Sequence, residues 1–134
     1  MLHSDIERSL PLLPSLSGWM TTLIQYVQSG RPDLTNRQMG LMLLVYLTPG
    51  PHTVRGLAAK LKVSKPVVTR ALNTLGTLGY LRRQKDASDL RNIFVETTAK
   101  GADFLRGFAS LIQRGEDDRQ PVEPERRSAP VPAH

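Results

Sequence analysis

Apolar residues recur along the chain at two spacings, and the switches between them divide it into elements. Leu16, Trp19, Met20, Leu23, Ile24 and Val27 follow helical spacing and predict a first amphipathic helix from about Ser15 to Ser29, which Gly30-Arg31-Pro32-Asp33 breaks. Thr35 followed by Gln38 reads as a capping box that opens a second helix from Asn36 to about Leu47. This helix is apolar nearly all round, which places it centrally in the core, and Pro49-Gly50-Pro51 ends it. Thr53 is a good N-cap for a short third helix, about Val54 to Leu61, with Leu57, Ala58 and Leu61 facing inward. Lys62-Val63 forms a tight turn. Ser64 then caps a fourth helix that carries Pro66 in its first turn, where the missing N–H does no harm. Val68, Ala71, Leu72, Leu75 and Leu78 share one face of that helix, and Gly79 stands where a terminating glycine belongs. Two short strand-like runs follow, Tyr80 to Arg83 and Ile93 to Glu96, separated by the polar loop Gln84 to Asn92. Thr98 caps a fifth helix with Phe104, Leu105, Phe108, Leu111 and Ile112 on one side.

Helix, tight turn, helix, then a two-stranded ribbon with a long loop is the order of a winged helix-turn-helix. The expected fold is therefore mainly α with a small β-wing: five or so helices plus a two- to three-stranded antiparallel ribbon. We divide the chain into an N-terminal arm and helix at 1–34, the winged helix-turn-helix at 35–97, a C-terminal helix at 98–114 and a tail at 115–134. The tail is charged, rich in proline and nearly without large apolar groups, so it cannot offset its ordering entropy and is expected to be disordered.

Charge changes this picture more than overall composition does. The net charge is +6, with 40% apolar residues and 5% aromatic ones, so Leu, Val, Met and Ala must fill most of the core. From Leu34 through Lys85 there is no Asp or Glu, while Arg37, Arg55, Lys60, Lys62, Lys65, Arg70, Arg82, Arg83 and Lys85 are cationic. Solvated faces normally mix signs, and a block of one sign points to a phosphate backbone. Cysteine is absent, which excludes disulfides, thiol redox sensing and thiolate metal sites. His3, His52 and His134 lie far apart, without ligand spacing, so no metal or other cofactor is expected; His52, beside two prolines, reads best as a surface loop residue. The opening MLHSDIERSLPLLPSLSG lacks a basic stretch followed by an apolar run, and no segment approaches a membrane span, so a cytoplasmic, nucleoid-associated location is expected. No paired carboxylates in one element, phosphate-binding glycine loop or nucleophile with a nearby base point to catalysis.

The fourth helix carries the chemistry that fits this charge. Its apolar face would be braced by the third helix, leaving Lys65, Pro66, Val67, Thr69, Arg70 and Asn73 outward. The N-terminal end of such a helix is the part that reaches base edges in the major groove. Arg70 has the geometry to pair bidentately with guanine, Thr69 to bond a base, and Pro66 and Val67 to touch thymine methyls. Ser64 and the helix start suit a phosphate. Arg82, from the same cationic block, joins this set.

The run LAAKLKVSKPVVTRALNTLGTLGYLRRQKDASDLRNIFVETTAKGADFL resembles the MarR family of bacterial transcriptional regulators over about residues 35–112. Its sharpest part is DASDLRNIFVETTAKG, similar to the family's Asp-x-Arg, short strand, then Thr-x-x-Gly opening a helix. The resemblance implies that Arg91 is a wing-tip arginine entering the minor groove and that Asp89 orients it. The narrow, negative minor groove attracts such a side chain. The chain departs from the family at Thr97, where leucine is usual, and in having one C-terminal helix before the Pro-rich tail. The resemblance also implies a homodimer. The residues expected at its interface are Leu10, Leu13, Leu16, Trp19, Leu23, Phe104, Phe108 and Leu111. A small-molecule effector has no clear signature: Trp19, Tyr26 and Met42 read better as core than as a pocket.

The expected function is a sequence-specific regulator of transcription, a repressor that binds double-stranded DNA as a dimer on an inverted repeat. Helix 64–78 would enter the major groove and wing 84–92 the minor groove. A winged-helix module for protein–protein assembly, and an architectural DNA-binding protein with little sequence preference, are the competing readings.

Overall fold

A computed structural model describes residues 10–119. They form two compact units, one of residues 32–107 and one made from the described parts of 1–31 and 108–134. In chain order the helices are α1 (Pro14–Gln28), α2 (Asn36–Leu47), α3 (Val54–Leu61), α4 (Lys65–Thr77) and α5 (Ala99–Arg119). The strands are β1 (His52–Thr53), β2 (Leu81–Lys85) and β3 (Ile93–Thr97), and a 3₁₀ turn spans Leu10–Leu12.

The unit 32–107 is set by its caps. Thr35 Oγ1 accepts from Gln38 N at 3.1 Å while Gln38 Oε1 accepts from Thr35 N at 2.9 Å, so the capping box forms in full. α2 is less central all round than its sequence implied: Leu41, Met42 and Val45 are buried, but Leu43 and Leu47 are exposed. Thr53 Oγ1 caps α3 by accepting from Gly56 N at 3.0 Å. α3 ends at Lys62, which takes the left-handed conformation (φ 56°, ψ 46°), with Val63 N donating to Ala58 O. α4 ends in a full Schellman turn: Gly79 has φ +79°, Tyr80 N donates to Leu75 O and Gly79 N to Gly76 O.

The sheet is antiparallel with the order β1-β3-β2. His52 lies opposite Val95, and β2 pairs with β3 from Leu81 opposite Thr97 to Lys85 opposite Ile93. β1 overturns the surface reading of His52. The ring is buried, and Nε2 lies 3.0 Å from Thr48 O. It closes the turn after α2 and is not presented to a phosphate.

A hydrogen-bond corner explains why Thr98 is followed three residues later by Gly101. Tyr46 Oη donates to Tyr80 O at 2.6 Å and accepts from Thr98 N at 2.9 Å. Thr98 Oγ1 donates to Gly79 O at 2.7 Å and accepts from Gly101 N at 2.9 Å. Gly101 passes so close to Tyr46 and the Tyr80 carbonyl that any side chain there would collide. Phe104 stacks on Tyr80 with ring centroids 4.6 Å apart.

In the other unit, α1 buries Gly18, Thr22 and Tyr26, one per turn. Thr22 Oγ1 lies 3.0 Å from Gly18 O and 3.3 Å from Leu111 O. Tyr26 and Trp19 meet Phe108 edge to face at 5.5 and 6.4 Å. Here one expectation needs correcting. Gly115 does not end the helix: it abuts Gly18 and Thr22, where no side chain would fit, and α5 runs on to Arg119. Glycine at this position permits a close helix crossing, so the boundary placed at 114 falls inside α5. The rest of the expected tail, 120–134, lies outside the described residues.

Candidate nucleic-acid interface

α3 and α4 meet through Leu57 and Ala58 on one side and Val68, Ala71, Leu72 and Leu75 on the other, all buried. That fixes which side of α4 faces out. Ser64, Lys65, Pro66, Arg70 and Asn73 are exposed, with Val67 and Thr69 half-buried beside them. Arg70 shares a concave surface with Thr35, Arg37, Gln38, Val67, Ala71 and Thr74, which contains two cations and no carboxylate.

The start of α4 offers fewer donors than a free helix end. The Ser64 side chain makes no capping bond. Pro66 has no N–H, and Val67 N and Val68 N both donate to Ser64 O. Ser64 Oγ and Lys65 N remain for an anion.

β2 separates two neighbouring arginines. Arg82 lies across from Glu96 in the sheet register, and its Nη2 and Nε reach Glu96 Oε1 at 2.9 and 3.3 Å. Successive strand residues point to opposite faces. Arg83 accordingly turns to α4, where Nη2 donates to Asn73 Oδ1 at 2.8 Å. Arg82 is thus neutralised by its own sheet. Arg83, which the sequence left out of the site, carries a charge that its amide partner does not cancel. Asn73, expected in the outward DNA-binding set, already spends its carbonyl oxygen on Arg83.

The loop from Asp86 to Asn92 holds its own shape. Asp86 N donates to Asn92 O, Asp89 N to Asp86 O and Asn92 N to Asp89 O. Asp86 Oδ1 accepts from Ser88 N at 2.9 Å and Ser88 Oγ at 2.8 Å, and Oδ2 accepts from Asn92 Nδ2 at 3.2 Å. The Ser88 hydroxyl first, then its N–H and the Asn92 amide, hold the Asp86 carboxyl below the usual aspartate range. Asp86 was missed from sequence, although Asp-x-Ser is the local signature of such a turn. Asp89 Oδ1 accepts from Arg91 N at 3.1 Å and Arg91 Nε at 3.3 Å, while the Arg91 side chain stays 88% exposed.

The expected dimer residues divide. Leu10, Leu13, Leu16, Trp19 and Leu23 are exposed, as are Met20, Ile24 and Val27. Phe104, Phe108 and Leu111 are each only 6% exposed, because Tyr80 covers Phe104 and α1 covers Phe108 and Leu111. They belong to the core of their own chain. Among the described residues no group of three or more His, Asp or Glu could hold a metal ion, and no helix is long and apolar enough to cross a membrane.

A helix presented through a braced three-helix core, with a ribbon loop beside it, defines a winged helix-turn-helix of the DNA-binding class. Residues 33–91 match the model of the MarR family. The chain has the fold of MarR-family transcriptional regulators. It is 24% identical over 101 residues to the HTH-type transcriptional regulator YwhA of Bacillus subtilis (strain 168), covering 75% of this chain and 72% of that protein. The transcriptional regulator Tm0710 of Thermotoga maritima is similar in structure, with a TM-score of 0.60 at 23% identity over 87% of this chain and 76% of that one. The YusO protein of Bacillus subtilis gives 0.61 at 21% identity, over 87% and 77%.

Proposed function

We propose that this protein is a sequence-specific, double-stranded DNA-binding repressor that acts as a homodimer on an inverted repeat, and that it has no catalytic activity. α4 enters the major groove by its N-terminal half, and the Asp86–Asn92 loop reaches the adjacent minor groove. The observation that carries this reading is the outward face of α4: Lys65, Pro66 and Arg70 exposed beside Val67 and Thr69, within a stretch free of carboxylates from residue 34 to 85. Lysines alone would serve phosphate binding; an arginine beside a threonine and two apolar groups is chemistry for base edges. The dimer reading rests on the α1 stripe, since six large apolar side chains exposed on one helix need a cover and a second copy supplies the matching stripe. Two-fold symmetry sets half-site centres about one helical turn, roughly 10 bp, apart. The location that follows is the cytoplasm, on the nucleoid. A small-molecule effector is compatible with such a regulator.

The test is a mobility shift on the protein's own upstream DNA and on random duplex, at two salt concentrations, for the wild type and Arg70→Ala. The variant should lose about 1–3 kcal/mol on the specific site and relax its preference there. Equal losses on both duplexes would leave Arg70 a phosphate contact and favour an architectural role.

A further inference from the structure

Asn73, Gly76, Thr77, Leu81, Arg82 and Arg83 line one concave surface between the C-terminal half of α4 and β2. Three features make it more than a gap. First, Arg83 is held by Asn73 Oδ1, a neutral acceptor, so the guanidinium is oriented while its charge stays available; its other N–H groups remain for an acceptor. Secondly, the Arg82 side chain leaves β2 on the opposite face, where Glu96 pairs with it, so the net positive charge at this surface rests on Arg83. Thirdly, Gly76 is exposed inside the last turn of α4, where glycine is unfavourable. Packing does not demand it. A Cβ at Gly76 would meet nothing nearer than Leu81 O at 4.0 Å, whereas Gly101 and Gly115 could not accept one. A bare backbone beside an oriented cation suits the close approach of another chain.

The DNA-binding reading says which chain that is. With α4 in the major groove and the Asp86–Asn92 loop in the next minor groove, the strand dividing the two grooves must run between α4 and the ribbon. We propose that this surface receives one backbone phosphate of that strand, bound by Arg83, with Asn73 as the positioning residue and Gly76 giving the sugar-phosphate room. This rests on the DNA-binding reading and adds a sequence-independent anchor to it.

The test is fluorescence anisotropy on the upstream and random duplexes between about 50 and 200 mM salt, with thermal melting of each variant. Arg83→Gln should weaken both duplexes alike, about tenfold, and lower the salt slope by about one per protomer. Asn73→Asp keeps an acceptor for Arg83 but cancels its charge, so it should preserve or raise the melting temperature and still weaken both duplexes. Gly76→Ala should melt a few degrees higher, by about 2–5 °C, yet bind less tightly. An unchanged slope in Arg83→Gln, or full affinity in Gly76→Ala, overturns the proposal while the DNA-binding reading stands. A wild type that binds neither duplex overturns both.

Discussion

At the scale of single residues, the most informative pair is Asp89 and Arg91. Arg91 is nearly fully exposed at the loop tip, so its ion pair with Asp89 adds little to stability. Its value lies in direction: one carboxylate oxygen takes both the backbone N–H and Nε of Arg91, which fixes how the side chain leaves the loop. Arg91→Ala should weaken DNA binding chiefly where the flanks are A·T-rich, since narrow minor grooves hold the stronger negative potential. Asp89→Ala removes a negative charge from the loop proposed to face DNA, and simple electrostatics predicts tighter binding. The orienting contact predicts weaker binding, by several-fold on the scale of one lost charge-assisted hydrogen bond. Anisotropy titrations on A·T-flanked and G·C-flanked duplexes decide between the two signs. This pair was legible through the resemblance to the family's Asp-x-Arg pattern, and its contact lies within one short loop. Arg82 and Arg83 were not legible, because which of two adjacent strand residues faces the helix depends on the register with β3.

At the scale of elements, most of what is local was readable, the unformed Ser64 cap and the overlooked Asp86 turn excepted, and what is set by a distant partner was not. The caps at Thr35, Thr53 and Thr98 and the Gly79 turn need only neighbouring residues, and each forms as its pattern implies. β1 has two residues and exists only through β3, so His52 looked like a loop side chain. The helix was ended at 114 because the reason for Gly115, its contact with Gly18 O and Thr22 Oγ1, is over ninety residues away in sequence. Two predictions belong here. Lys62 holds the left-handed position between α3 and α4, which costs an ordinary residue about 1 kcal/mol or more. Lys62→Gly should therefore stabilise the protein by roughly 0.5–1 kcal/mol, less than the full strain because glycine also frees the unfolded chain. It should also bind all DNA slightly less well for the lost charge. A melting temperature that falls would contradict the turn geometry. The second concerns the loop. Asp86 titrates lower when folded than when unfolded, so its contribution to loop order is present above the unfolded pKa and is lost as pH falls through the lower, folded one. The Ser88 and Asn92 amide resonances should then hold their positions down through the ordinary aspartate range and shift only below it. Shifts centred within that range would mean that the Asp86 contacts do not form in solution.

At the scale of the whole molecule, the decisive fact is how α1 distributes its side chains. It buries Gly18, Thr22 and Tyr26 against its own chain and leaves Leu16, Trp19, Met20, Leu23, Ile24 and Val27 exposed. Sequence periodicity found the stripe but assigned it together with Phe104, Phe108 and Leu111, because an apolar pattern does not say which partner covers it. With those three in the core, the exposed large apolar groups among the described residues that a second copy could cover include the α1 stripe, Leu10, Leu13 and Ile112 of α5. Met20 and Ile24, 56% and 48% exposed, are suitable probes because neither is buried in its own chain. In a monomer, Met20→Asp with Ile24→Asp would change stability little, as surface substitutions usually do. In a dimer, the same pair places two carboxylates per chain in an apolar interface. Sedimentation at micromolar concentration should then shift from dimer to monomer, and the melting temperature should lose its dependence on protein concentration. Affinity for a two-half-site duplex should fall steeply, because the linkage between sites is lost, while affinity for a single half-site stays the same. If the variant remains dimeric, the α1 stripe is not the interface. If the wild type is already monomeric and binds a full site as one protein, the two-fold operator goes with it.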